Sequence, residues 1–312
     1  MTAHDTPVLS AATHLIDTME RMSGGPYPGC RRSGARGACF SGTFTPTGAA
    51  SALTAAAHLH DRPVPVTVRF SNSEGNPHTP DTAAVTRGMA TRFHLPDGSD
   101  TDLLAITVPR FVASTPQEFL GLTDALRPDP ATGVADQARV REFIAAHPHL
   151  AEPIMQHPPI PVSYGTATYW AIHAFIWVTD GGGRRPVRFR WEPEARREEL
   201  TDAEIATSTD DYMTTEFDDR LRRGAVEFTL RVQLGERDDP THDPTVAWPD
   251  ERREIVAGRL ELTAPVDDQK YWDTQAFNPT RITEGIELSD DPVLKFRAHA
   301  YAESLHRRRA GR

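Results

Sequence analysis

Cysteine is almost missing from this chain: Cys30 and Cys39 are the only two in 312 residues, so no disulfide framework holds it together. Long apolar runs are missing too. The longest, Tyr169 to Val178, has ten residues and is interrupted by His173, half of the ~20 that a membrane-crossing helix requires. Positive charge is in deficit, with 34 Lys and Arg against 44 Asp and Glu and a net charge of −10. That balance gives no electrostatic case for coating nucleic acid or an anionic membrane, and the basic run His306–Arg309 is too short to reverse it. The N-terminus MTAHDTPVL has no basic block followed by an apolar one, so no secretory signal is read and a cytoplasmic location is expected. P-loop, GxGxxG, GxSxG and HExxH patterns are all absent. No internal repeat or long Pro/Gly/Ser linker divides the chain, which predicts a single domain over residues 1–312.

What is present is a series of short β-like runs: 38–44, 64–71, 89–95, 103–111, 172–179, 186–191, 226–234 and 255–263. Asp180 followed by Gly181, Gly182 and Gly183 supplies a hairpin turn between two of them. Eight strands suffice for a barrel. Helical patterns cover 7–22, 49–60, 116–126, 136–146 and 202–222, the first within an N-terminal helix arm over 1–25. A last helix over 291–309 is the best marked, with Asp291 as N-cap and Pro292 in the first turn. The expected class is α+β, an eight-stranded antiparallel β-barrel with surrounding helices.

Two generic signals carry little. His58/His60 and His147/His149 are His-x-His pairs, but both fall at predicted helix ends, where His serves the macrodipole and caps better than a metal. Asp238, Asp239, His242 and Asp243 resemble a calcium loop only in acidity, since the Gly and closing Glu of that loop are missing.

The last helix is different. Arg297 and Tyr301 stand four residues apart and Arg308 seven further on, which places all three on one face. A guanidinium beside a phenol favours its charged form, and a phenolate is an axial ligand for haem iron. On spacing alone, a surface tyrosine among solvated arginines at a basic helix end is the favoured reading.

Five segments in order resolve that choice by resemblance: CRRSGARGACFSGTF (30–44), VRFSNSEGNP (68–77), RGMATRFHLPDGSDTDLLAITVPRF (87–111), AIHAFIWV (171–178) and DPVLKFRAHAYAESLHRRR (291–309). Together they resemble the haem catalase family, in its small mini-catalase or catalase-related peroxidase group. The resemblance implies haem b as cofactor, with Tyr301 as the proximal iron ligand and Arg297 holding that phenolate. It further implies His173 and Asp291 as supports of Arg297, and Arg31, Arg69 and Arg308 as arginines at the propionates or haem edge. Ser71 matches a serine near the distal face, and Phe111 closes the third matching segment at the cofactor. Homo-oligomers are frequent in the family.

One departure matters. The family places a distal histidine at the fourth position of a pattern like R-x-x-H-A-[KR]-G; here that pattern runs from Arg31 to Gly37, and the fourth position is Gly34. Thr107 is read at the position of the usual distal asparagine. General acid–base catalysis contributes about 10²–10⁴-fold, and glycine can transfer no proton, so ordinary catalase turnover is expected to be weak. The leading expectation is a haem oxidoreductase acting on a small organic substrate above the iron, with Gly34, Ser33, Thr107 and Arg297 at the reacting centre. The alternatives are a catalase-related peroxidase that consumes hydrogen peroxide with another distal base (Ser33, Thr107, Glu74 or His78), and a non-catalytic haem-binding protein.

Overall fold

Alternation of apolar and polar residues along eight strands closes them into a ring. They are β1 (Gly37–Pro46), β2 (Val64–Asn72), β3 (Arg87–His94), β4 (Asp100–Ile106), β5 (Tyr169–Val178), β6 (Arg184–Pro193), β7 (Val226–Leu234) and β8 (Glu254–Pro265). The order is β4-β3-β2-β1-β8-β7-β6-β5, and Ile106 paired with Trp170 joins the last strand to the first. Every pairing is antiparallel. A short β9 (Ile286–Leu288) adds to β5. The computed structural model describes residues 5–129, 131–151 and 158–311, so the first four residues of the expected N-terminal arm lie outside it.

Period two decides what fills the barrel. On β2, Val64, Val66, Val68 and Phe70 enter the core, as do Val226, Phe228, Leu230, Val232 and Leu234 on β7. Aromatic rings interlock there: Phe40 and Phe70 lie 6.0 Å apart, and Phe44 meets Trp191 edge-on at 5.9 Å. Each such buried ring stabilises the fold by about 1.5–3 kcal/mol. Gly258 makes room for one of them, since a Cβ there would come within 2.2 Å of the Phe44 ring. The consequence for function lies on the other face of β2. With its even residues inside, Arg69 and Ser71 are left on the outer side of the barrel wall.

Helices surround the barrel, the first and the last of them over that outer side. α1 (Asp5–Met22), α2 (Pro116–Leu126) and α3 (Gln137–Ala146) precede β5. α4 (Asp202–Thr207) and α5 (Tyr212–Arg223) precede β7. α6 (Gln269–Thr274) follows β8, and α7 (Pro292–Arg309) ends the chain. Ala12 and Leu15 of α1 pack against Phe296 and Ala300 of α7 in a small second core. Thr115 caps α2 by accepting from the Glu118 N–H.

The expected class stands, α+β with an eight-stranded antiparallel barrel, but several boundaries move. Residues 49–60 are not a helix and hold only a single turn, Ala57–Leu59. Their polar groups are spent on tertiary partners: the Ala55 N–H donates to the Val178 carbonyl, and the Thr54 hydroxyl to the Gly285 carbonyl. Those long-range bonds override an alanine-rich helical pattern. The predicted helix 202–222 breaks at Ser208 into α4 and α5. At that break the Asp210 carbonyl accepts from the Arg36 guanidinium and the Asp81 N–H, so it is lost to an intrahelical ladder. β4 stops at Ile106 rather than at 111. The hairpin turn expected at 180–183 is present, with Thr179 bonded to Gly183 across it.

Candidate active site

The outer face of β2, the loop before β1, the paired β3–β4 edge and helices α1 and α7 enclose a cavity of about 260 Å³. Its walls are mostly apolar, drawn from Leu15, Ile16 and Met19 of α1, Met89 and Leu104 of the sheet, and Phe119 of α2. Polar groups enter at three places, each set by a different element.

The first is α7. Tyr301 and Arg297 line the cavity, and the Arg297 Nη2 donates to the Tyr301 Oη at 2.8 Å. The Arg297 Nη1 lies 2.8 Å from the His173 Nε2, and the His173 Nδ1 lies 2.6 Å from the Asp291 Oδ2. An arginine can only donate, so His173 must offer a lone pair at Nε2 and carry its proton at Nδ1, toward the carboxylate. The imidazole is therefore neutral. Burial pushes its pKa down to about 4, against the opposing pull of the Asp291 hydrogen bond. Asp291 is 1% exposed, and its other oxygen caps α7 by accepting from the Val293 and Leu294 N–H groups at 2.8 and 3.1 Å. One carboxylate thus starts the helix and anchors the chain of bonds that reaches Tyr301.

The second place is an edge of three arginines. Arg31, Arg69 and Arg308 all line the cavity. Arg31 is satisfied by Asp273 and by the carbonyls of Trp272 and Gln275, each at 2.9 Å. Arg69 is not. It is 4% exposed, its Nε and Nη2 have no hydrogen-bond partner, and Asp273 is 3.9 Å away, beyond hydrogen-bond reach. The Nε of Arg308 is likewise unpartnered, while its Nη2 donates to the Gln275 carbonyl at 3.0 Å. Burial, followed by the other two guanidiniums in turn, lowers Arg308 to about 9; burial and then Arg31 lower Arg69 to about 10. Buried, mutually repelling cations with free N–H groups require an anion. A flat apolar macrocycle with two carboxylates at its edge supplies both the anion and the fill for the walls. The residues present therefore fit haem b, with Tyr301 as the available iron ligand and the three arginines as partners for the carboxylates.

The third place is the loop before β1. Gly34 is buried at φ +70°, a left-handed conformation. A Cβ on it would meet the Ser71 Oγ at 2.9 Å. Ser33 turns its hydroxyl away, donating to the Ser73 carbonyl at 2.9 Å. Next to Ser71, Asn72 also lines the cavity; it is 1% exposed, its Oδ1 accepts from the Glu74 N–H, and its Nδ2 has no partner.

Most of the expected residues are thus brought together. Arg31, Ser33, Gly34, Arg69 and Ser71 reach the cavity from the barrel side, Arg297, Tyr301 and Arg308 from α7, and Phe111 from the segment between β4 and α2. His173 and Asp291 stand behind Arg297, with the Phe111 ring 6.3 Å from the imidazole. Thr107 is not among the lining residues. Its hydroxyl accepts from the Arg87 N–H at 3.0 Å and its own N–H returns to the Arg87 carbonyl, which pins the end of β4 to β3. Ile106, one residue earlier, forms that wall instead. Strand period already predicts this, because Leu104 and Ile106 share a face. Asn72 and Phe277 were also missed; only the fold brings 277 beside 69 and 308. His58, read above as a helix-end residue, is buried and packs at a tilt against Phe93, 4.7 Å between ring centres.

Comparisons with known proteins bear on the family and the fold. The catalase-related peroxidase of Mycolicibacterium paratuberculosis (strain ATCC BAA-968 / K-10) is 40% identical over 289 residues, which is 91% of each chain. That of Synechococcus elongatus is 32% identical over 288 residues, 91% of this chain and 84% of the other. A solved fungal catalase superposes with a TM-score of 0.81 at 21% identity and a bacterial catalase with 0.82 at 22%, each over 90% of this chain. The present chain spans 60% and 58% of the lengths of those two structures, and at such identity the likeness is one of fold. The family model described as Catalase matches residues 1–312. The chain belongs to the catalase family of haem-dependent redox enzymes.

Proposed function

We propose that this protein is a haem-dependent peroxidase: a single domain that reduces a peroxide at the expense of a small organic donor and dismutates hydrogen peroxide only weakly. The observation that carries this is the unbroken chain Asp291–His173–Arg297–Tyr301, combined with a wall at Gly34 that holds no proton-transferring side chain. Haem b, when bound, supplies the redox centre. The chain's own residues supply the rest. Arg297 donates to the phenol oxygen and stabilises its negative charge. His173 and Asp291 fix the orientation of that guanidinium. Arg31, Arg69 and Arg308 hold the carboxylate edge, and the apolar walls from α1 and the β3–β4 edge keep bulk water out.

On the side of Gly34, the Ser71 hydroxyl and the unpartnered Asn72 amide can hydrogen-bond a peroxide oxygen, but neither is a base. Glu74 and His78 remain as proton carriers only through intervening groups, since neither lines the cavity. Loss of a positioned acid–base group costs about 10²–10⁴-fold. The curated relatives at 40% and 32% identity are named catalase-related peroxidases, and that favours peroxide consumption over oxygen-atom chemistry on an organic substrate. The second reading keeps one observation in its favour: among the described residues no histidine or carboxylate lines the cavity, so a substrate carrying its own acidic or basic group could supply what the Gly34 wall does not.

Oxygen release from hydrogen peroxide and oxidation of a small phenol, both normalised to bound haem, test the proposal. Phenol oxidation that outpaces oxygen release is expected. Oxygen release at ordinary catalase rates would overturn the altered-pocket reading. An inert but haem-loaded protein would overturn the peroxidase reading and leave the organic-substrate and non-catalytic haem-binding alternatives.

A further inference from the structure

We propose a second redox-active place on this protein, at its surface: Tyr271 is where electron-rich aromatic donors too large for the cavity give up one electron at a time. This rests on the peroxidase reading above and adds to it where bulky donors react. The segment from α6 to Phe277 is fastened to the arginine edge. Arg31 donates to the Trp272 and Gln275 carbonyls, and Arg308 to the Gln275 carbonyl. Phe277, 5% exposed, lines the cavity. The Trp272 ring stacks on Phe277 at 6.0 Å and 30°, and the Tyr271 ring meets Trp272 edge-on at 5.5 Å. Tyr271 is 52% exposed. Two ring-to-ring contacts therefore join the cavity wall to a phenol in solvent.

The charges along this path favour its outer end. The Arg92 guanidinium sits 4.9 Å from the Phe277 ring centre and 5.7 Å from that of Trp272. A cation over a ring opposes removal of an electron from it. Trp272 and Phe277 thus pass the oxidising equivalent without holding it. Among the described residues no such cation lies over the Tyr271 ring, and its phenolic proton can leave to water as the electron departs. Asp267, Asp268 and Asp273 are exposed around it, with Lys270 the one exposed cation of the segment. That surface favours neutral phenols and cationic aromatic amines over anionic donors.

The electrons balance. Hydrogen peroxide takes up two electrons and two protons as its O–O bond breaks, giving two waters. Each electron drawn from Tyr271 releases its phenolic proton. A donor phenol then returns one electron and one proton, re-forming the Tyr271 O–H bond and leaving as a phenoxyl radical. Two donors are consumed per peroxide.

The test compares the haem-loaded wild type with Tyr271→Phe, which removes one exposed hydroxyl. Phenol groups tethered to dextran cannot enter the cavity, whereas free guaiacol can. Tyr271→Phe is expected to lose about tenfold in oxidation of the dextran-bound phenol and to keep guaiacol oxidation within about twofold. With peroxide and no donor, the wild type is expected to form dityrosine-linked dimers whose cross-linked peptide maps to Tyr271, absent from the variant. Guaiacol oxidation by the wild type without dextran-phenol oxidation overturns the surface site alone. Equal dextran-phenol rates in both proteins, with no modification at Tyr271, overturn it as well. Oxidation of neither donor by the wild type overturns the peroxidase reading and the surface site with it.

Discussion

Replacing Asp291 with Asn separates two jobs that one carboxylate performs. Asparagine caps helices about as well as aspartate, so its Oδ1 can still accept from Val293 and Leu294. At the other atom a donor replaces an acceptor. The amide N–H₂ then faces the His173 Nδ1–H that the Asp291 Oδ2 accepts at 2.6 Å. If the imidazole shifts its proton to Nε2 to avoid this clash, that proton instead confronts the Arg297 Nη1, 2.8 Å away. Either tautomer leaves one buried donor opposite another. A buried hydrogen bond to a charged group contributes about 1.5–3 kcal/mol, and Asp291→Asn should cost that much in urea unfolding of the protein. Asp291→Ala should cost about 1 kcal/mol more, for the lost cap. The assay that distinguishes positioning from mere stability is the absorption spectrum of the haem-loaded variant. Arg297 should loosen from Tyr301, so the spectrum should change in Asp291→Asn even where the protein is fully folded. An Asp291→Asn protein within about 0.5 kcal/mol of wild type, with an unchanged spectrum, would refute the relay.

Three other perturbations follow from the same geometry. Arg69→Met removes an unpartnered buried cation; thermal melting should show the haem-free protein as stable as wild type or more so, while haem retention on gel filtration falls, and a loss of haem-free stability would contradict the orphan-charge argument. Gly34→His forces a side chain into a left-handed backbone at φ +70°, at about 1–2 kcal/mol, with its Cβ against Ser71; added imidazole should therefore raise oxygen release from hydrogen peroxide in the wild type more than the substitution does, and no gain from either would deny a peroxide site beside Gly34. His58 is neutral in the fold, its pKa pushed down to about 3 by burial, so the unfolded chain takes up the proton first as pH falls below 6.5. The stability it contributes is whole above that pH and falls by about 2 kcal/mol by pH 5; His58→Leu should reduce the drop in urea midpoint between pH 7 and 5, and parallel drops in the two proteins would exclude His58 as the cause.

The sequence carried the barrel because its signal is local and repetitive. The alternation on 64–71 and 226–234 is strong enough to name strands and the face each one buries. It carried the α7 constellation for the same reason, since steps of four and seven along one helix need no tertiary knowledge. It failed where partners are remote. Residues 49–60 have a helical pattern, yet the Ala55 N–H and the Thr54 hydroxyl are taken up by Val178 and Gly285, more than a hundred residues away. α6 is six residues long and leaves too short a pattern to recognise. The wall at Ile106 was a smaller failure: matching to the family's asparagine position selected Thr107, where strand period selects its neighbour. The orphaned amide of Asn72 was invisible for another reason, because an unsatisfied atom is defined only by everything that fails to reach it.

Gly34 is where sequence and structure add most to each other. From sequence alone, a glycine in place of histidine reads as a deletion of one side chain from an otherwise standing site. The backbone adds a constraint that the sequence does not show. At φ +70°, with the Ser71 Oγ within 2.9 Å of a Cβ placed here, a side chain at this position is strained, histidine included. An imidazole here would need Ser71 or the loop to move, so the loop is committed to its conformation. The surrounding atoms are consistent with that commitment: Ser33 is tied to Ser73, and the Ala35 N–H donates to the Glu74 carbonyl at 2.8 Å. The loop is bonded to the strand end on both sides of the glycine. On the α7 side, every member of the four-residue relay keeps its partner. The cavity therefore combines a tyrosine held by a complete hydrogen-bonded relay on its α7 wall with a Gly34 wall that carries no histidine or carboxylate among the described residues, and a proton donor or acceptor on that side has to come from what enters the cavity or from water.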